Sequence, residues 1–151
     1  MVDHRRVIEA VVESMNTNDV RLYDRLFTAD FVDEYLQSGE LIRGPANARW
    51  ILENYPGAEN LPRAVDRETM RSHPTDAVKV VAPTFSIVKI ESGGDAGTVA
   101  IRGQYPDGSI WWIVVLYTLR GDRICRSTTF FAPEFPPPEW RATHVERMPG
   151  R

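Results

Sequence analysis

Two hydrophobic runs late in the chain, residues 109–120 and 124–132, are joined by a turn at Gly121-Asp122. Val, Ile, Thr, Tyr, Phe and Trp dominate both, and a Gly-Asp pair between such runs closes a β-hairpin. A third run, 98–105, enters through Pro106-Asp107-Gly108-Ser109, a second turn signal. Three strands in antiparallel succession therefore end a chain whose first third has helical spacing. That order restricts the fold to an α+β arrangement in which the sheet must cover the helices.

Upstream, Val7, Ile8, Val11, Val12 and Met15 recur at helical intervals and define one apolar face. Asn16-Thr17-Asn18-Asp19 breaks that helix and caps a shorter one bearing Val20, Leu22, Tyr23, Leu26 and Phe27. Residues 31–37 read as a strand turned by Ser38-Gly39, and Gly44-Pro45 opens a third helix carrying Ala46, Trp50, Ile51 and Tyr55. Residues 63–72 read as a polar edge strand. Residues 77–91 read as a long strand in which Pro83 implies a bulge or an edge position. The expected architecture is a cone-shaped, strongly curved, mostly antiparallel sheet wrapped around the N-terminal helices and enclosing a pocket at its open end. Residues 1–151 form one domain in this reading, with 133–151 as a Pro-rich C-terminal arm.

The 151 residues carry a net charge of −3 with acids and bases interleaved, so nothing resembles a nucleic-acid-binding stripe. No apolar run is long enough to cross a membrane, and no signal-peptide core follows Met1. The lone Cys125 forms no internal disulfide and suits a reducing cytoplasm, where it reads as a small apolar strand residue. His4, His73 and His144 lack metal-ligand spacing, so no metal site is expected. Arg120-Gly121-Asp122 is explained by the hairpin turn. Pro136-Pro137-Pro138, without basic neighbours, reads as a stiff arm.

Gln37-Ser38-Gly39-Glu40 with Ile42-Arg43-Gly44, and the tail from Phe131-Ala132-Pro133 to Pro138-Glu139-Trp140-Arg141, resemble a SnoaL-like member of the nuclear transport factor 2-like superfamily. The superfamily includes ketosteroid isomerases, limonene-epoxide hydrolases, polyketide cyclases, dehydratases and non-catalytic binding modules. The resemblance implies a pocket for a small hydrophobic molecule and no cofactor. It also implies where a site would lie. The isomerase oxyanion-hole positions fall at Val11 and Val115, and the isomerase base at Tyr35. The epoxide hydrolase Arg-x-Asp pair falls at Thr98 and Ala100, and the last-strand Asp at Thr129. Each is neutral here, although both chemistries need an ionisable group.

Strand alternation supplies the remaining candidates. Asp33, Tyr35 and Gln37 share one side of their strand. Arg102 and Gln104 lie in phase with Thr98 and Ala100, and Ser127 and Thr129 with Cys125 and Phe131. Asp33 is the candidate base, Tyr35 a hydrogen-bond donor and Arg102 a charge for an anion or enolate. Alternatively, Asp33 caps a strand end or pairs with Arg102 for structure. Val11, Met15, Tyr23, Trp50, Tyr55, Gln104, Val115, Ser127, Thr129 and Phe131 complete the expected ligand-binding set.

Two functions are compatible with this pattern. One is a module that binds a small hydrophobic molecule. The other is a cofactor-independent cyclase, isomerase, dehydratase or hydrolase acting on a polyketide-, terpenoid- or steroid-like substrate. Ile124, Thr128 and Phe130, with Ile110, Trp112, Val114 and Leu116, form an expected outward apolar face, and hence a homodimer joined through the sheets.

Overall fold

The computed structural model describes residues 1–54, 84–105 and 107–150. Helix α1 (His4–Thr17) starts where Asp3 accepts a hydrogen bond from the Arg6 amide at 3.1 Å. It stops at Asn18, whose left-handed conformation (φ 51°) returns its N–H to the Met15 and Ser14 carbonyls. A short 3₁₀ turn (Val20–Leu22) and the single-turn α2 (Tyr23–Leu26) lead directly into β1 (Phe27–Tyr35). Strand β2 (Glu40–Arg43) returns along β1, and α3 (Gly44–Glu53) begins with Pro45 in its first turn. Then follow β3 (Thr84–Gly93), β4 (Ala96–Gln104), β5 (Ile110–Arg120) and β6 (Arg123–Pro133), and a 3₁₀ helix (Glu139–His144) lies in the C-terminal arm. The expected edge strand at 63–72, Tyr55, and the start of the 77–91 strand with Pro83 lie outside the described residues.

The strands form one sheet in the order β2-β1-β6-β5-β4-β3. This corrects the expected cone. Among the described residues the sheet is open, with β2 and β3 at its edges, and it is mixed, because β1 runs parallel to β6. Hairpin signals are local and foretold the meander β3 to β6. The parallel pairing joins residues some ninety positions apart, and no turn residue encodes it. Gln37 prolongs that junction beyond β1. Its Nε2 donates to the Phe131 carbonyl at 2.6 Å, and the Phe131 N–H donates to its Oε1 at 2.5 Å.

Helix α1 packs Val7, Ile8 and Val12 against Val99, Ile101, Ile113 and Tyr117 of the sheet. Its first turn is pinned at one end of the strands, where His4 Nδ1 lies 3.2 Å from Tyr117 Oη and Nε2 donates to the Gly94 carbonyl at 3.1 Å. Its last turn is pinned at the other end. There the Asn16 amide donates to the Phe85 carbonyl at 2.8 Å and accepts from the Phe85 N–H at 2.7 Å. Gly97 is required beneath Tyr117, because a Cβ there would run into the buried phenol ring.

The last hairpin holds an irregularity that alternation alone does not foresee. Thr118 pairs with Arg126 but Leu119 pairs with Ile124, so Cys125 is an extra residue on β6, its Sγ 3.4 Å from the Thr118 carbonyl. One inserted residue reverses the facing of everything beyond it. Ile124, expected on the outward face with Thr128 and Phe130, is therefore buried in the core at 3% exposure.

Candidate functional site

Between the helices and the sheet lies a cavity of about 590 Å³. Helix α1 contributes Ile8, Val11, Val12 and Met15, and α3 contributes Ala48, Ile51 and Leu52. The sheet contributes Phe27, Phe31, Asp33 and Tyr35 from β1, Val99 and Ile101 from β4, Trp111, Ile113 and Val115 from β5, and Ser127, Thr129 and Phe131 from β6. The register orders these along its length. Tyr117 lies opposite Ser127, which lies opposite Asp33, at the end pinned by His4. Trp111 lies opposite Gly103, which lies opposite Phe85, at the end pinned by Asn16. Tyr117 and Trp111 are thus separated by roughly 20 Å at ~3.3 Å per strand residue. Asp33 belongs to one end, and Tyr105, Asp107 and Ser109 to the other.

Asp33 is the one ionisable carboxylate deep in this wall among the described residues. Thr129 Oγ1 donates to its Oδ1 at 3.0 Å, and Ser127 is its cross-strand partner. Burial pushes its pKa up. The Ser127 and Thr129 hydroxyls and the Glu34 backbone oppose that rise without cancelling it. Tyr35 follows two residues on, meeting Phe131 edge-on with ring centroids 5.2 Å apart. Burial, and then the charge of Asp33, raise its phenol well above the ordinary value. The same two causes push Tyr23 up to about 12. Both phenols are therefore neutral donors over any physiological pH. A carboxyl group with raised affinity for protons, beside neutral O–H groups in an apolar wall, can exchange a proton with a bound molecule and hydrogen-bond an oxygen on it.

The cavity brings together Asp33, Tyr35, Val11, Met15, Tyr23, Val115, Ser127, Thr129 and Phe131. It does not include Arg102 or Gln104. On β4 the inward positions are Val99 and Ile101, so Thr98, Ala100, Arg102 and Gln104 belong to the opposite face. Arg102 lies opposite Trp112, with its Nε 3.8 Å from Glu134. The proposed charge for an enolate is thus on the wrong side of the sheet, and Arg102 does not pair with Asp33. Trp50 also lies off the cavity, at 63% exposure, because α3 turns Ala48, Ile51 and Leu52 inward at i, i+3 and i+4. Phe27, Phe31, Val99, Ile101 and Ile113 went unforeseen as lining residues. The signal for the β4 pair was present: Val99 and Ile101 alternate with Thr98, Ala100 and Arg102, which identifies the apolar set as inward.

No family model matches the chain, and no curated protein does. Solved structures do match. A protein of unknown function from Burkholderia xenovorans, described as NTF2-like, is 21% identical, with 95% of this chain and 94% of that chain covered at a TM-score of 0.72. The chain shares the fold of that NTF2-like structure. A candidate ketosteroid isomerase from Kribbella flavida shares the NTF2-like fold at 19% identity, over 96% of this chain and 89% of that chain, with a TM-score of 0.69. An LEH-like epoxide hydrolase from M. tuberculosis does so at 16% identity, over 84% and 80% of the two chains, with a TM-score of 0.54. These identities carry the NTF2-like fold and no further, so chemistry rests on the cavity itself.

Proposed function

We propose that this protein is a cofactor-independent enzyme that moves a proton on a small apolar substrate, as a cyclase, isomerase, dehydratase or hydrolase. The observation that carries this reading is Asp33: a desolvated carboxylate, held by hydroxyl groups and set in an otherwise apolar cavity. In this reading Asp33 takes a proton from the substrate and returns it elsewhere, while Tyr35 donates to the oxygen on which charge develops. Thr129 and Ser127 fix the carboxylate. Substrates of polyketide, terpenoid or steroid type fit the apolar walls. A second reading, capture without turnover, draws support from the neutral residues Val11, Val115 and Thr129 at positions where relatives carry catalytic groups.

The same proposal takes the protein as a cytoplasmic homodimer. Trp112, Val114, Leu116 and Phe130 share the sheet face away from the helices, and Leu116 is 45% exposed. No helix among the described residues is long and apolar enough to cross a membrane.

The test is solvent-deuterium exchange into the α-carbon of a rigid aryl methyl ketone such as 4-acetylbiphenyl, followed by NMR. Protein-dependent exchange that Asp33→Asn abolishes, with ketone binding retained, supports base catalysis. Ketone binding without exchange supports the capture reading instead.

A further inference from the structure

The aromatic rings beside Asp33 are arranged on both sides of it. On β1 it sits between Phe31 and Tyr35 at alternate positions. Phe31 packs on Phe27 with centroids 4.4 Å apart, and Phe27 packs on Tyr23 at 5.0 Å. Phe131 closes the other side against Tyr35. A half-buried carboxylate within such rings presents a negative charge and several electron-rich π faces to one space, the combination that binds organic ammonium ions.

The rest of the cavity matches that sign. No Lys, Arg or His occurs among its described lining residues, whereas Asp107 supplies a second carboxylate at the far end. Asn18 also lines the cavity, and its Oδ1 is buried without a hydrogen-bond partner. Among the described residues an anion would find no counter-charge, whereas a cation would offset the cost of burying Asp33. The Thr129 and Ser127 hydroxyls and the Glu34 backbone N–H use part of the carboxylate's acceptor capacity, about four directions when it is ionised.

We propose that the cavity selects its occupant by charge and takes an apolar amine, held as its ammonium ion by Asp33 between the flanking rings. This goes beyond the catalytic reading and does not require turnover. Because the ammonium ion sits on the carboxylate, such an amine competes with any reaction that Asp33 performs.

The test uses three probes with one hydrocarbon body, 1-adamantylamine, 1-adamantanol and 1-adamantanecarboxylate, titrated calorimetrically into the full chain at neutral pH and low salt. The amine is expected to bind about tenfold tighter than the alcohol, the alcohol tighter than the carboxylate. Asp33→Asn should erase the advantage of the amine and leave alcohol affinity within about twofold, whereas Asp107→Asn should leave the order unchanged. If the Asp33→Asn variant does not fold, Tyr35→Leu gives a second measurement, with the amine-to-alcohol ratio expected to fall about threefold. Equal binding of amine and alcohol, a preference that survives Asp33→Asn or vanishes with Asp107→Asn, or no binding of any probe at millimolar concentration overturns the proposal. An amine preference without ketone exchange sinks the catalytic reading alone. Ketone exchange without an amine preference sinks this inference alone.

Discussion

Asp33 and Glu34 are adjacent acids on β1, and the sheet separates them completely. Asp33 faces the cavity, where burial raises its pKa against the pull of two hydroxyl groups. Glu34 faces outward, where Arg126 and then Thr128 hold it below the usual carboxylate range. One peptide unit thus divides a carboxylate placed for proton exchange from one placed in an exposed ion pair. The inner face of the sheet is apolar with a single deep charge. The outer face carries salt bridges, Arg126 with Glu34 and Arg102 with Glu134, beside an apolar strip. In the proposed function, chemistry and association fall on opposite sides of the same strands.

The sharpest way to break this division is to remove each acid in turn. Asp33→Asn should lower turnover on a responsive ketone by roughly 10²–10⁴-fold, the usual contribution of a general base, while Glu34→Gln changes it less than about twofold. Similar losses from both variants would erase the distinction between the faces. Next in size is association. Leu116→Arg, on the outer strip, should convert dimer to monomer in sedimentation velocity at micromolar concentration without changing the fold. A wild-type protein that sediments as a monomer would remove the outer face from consideration as an interface.

Packing gives a smaller effect. Gly97→Ala places a methyl group against the Tyr117 ring and should cost ~1–3 kcal/mol in urea unfolding, as overpacking does. Unchanged stability would mean that the end of the cavity near His4 yields more readily than its burial implies.

The smallest effect is the pH dependence, and it has opposite signs on the two faces. A raised pKa in the folded state means that folding retains the proton on Asp33, so stability falls as pH rises from the unfolded value of about 3.8 through the folded one. Asp33→Asn should therefore raise Tm at pH 7, and the gain should vanish as pH drops below 4. A lowered pKa makes Glu34 stabilising above its unfolded value, with the contribution lost as pH falls through the folded one. Glu34→Gln should lower Tm slightly at pH 7, and salt should reduce the difference, because the pair is exposed. Thermal melts of the two variants at pH 3.5, 5 and 7 would detect a reversal of either sign.

Much of this architecture was legible because it is local. Apolar spacing in residues 7–15, Gly44-Pro45, Gly121-Asp122 and the alternation of Asp33 and Tyr35 each report on a few neighbouring dihedral angles, and the structure builds α1, α3, the last hairpin and the inward side of β1 from them. Two features came only from tertiary structure, and a third, signalled by apolar alternation in β4, was settled by what packs on it. The parallel docking of β1 on β6 makes the sheet mixed, and it arises from contacts between chain segments far apart in sequence. The extra residue at Cys125 turned Ile124 inward, since a bulge shifts register without any turn residue to announce it. The facing of β4 was decided by α1, which buries Val99 and Ile101 and so leaves Arg102 on the far side of the sheet from Asp33. A strand carries its period in its sequence, but which of its two faces meets the core depends on what packs against it.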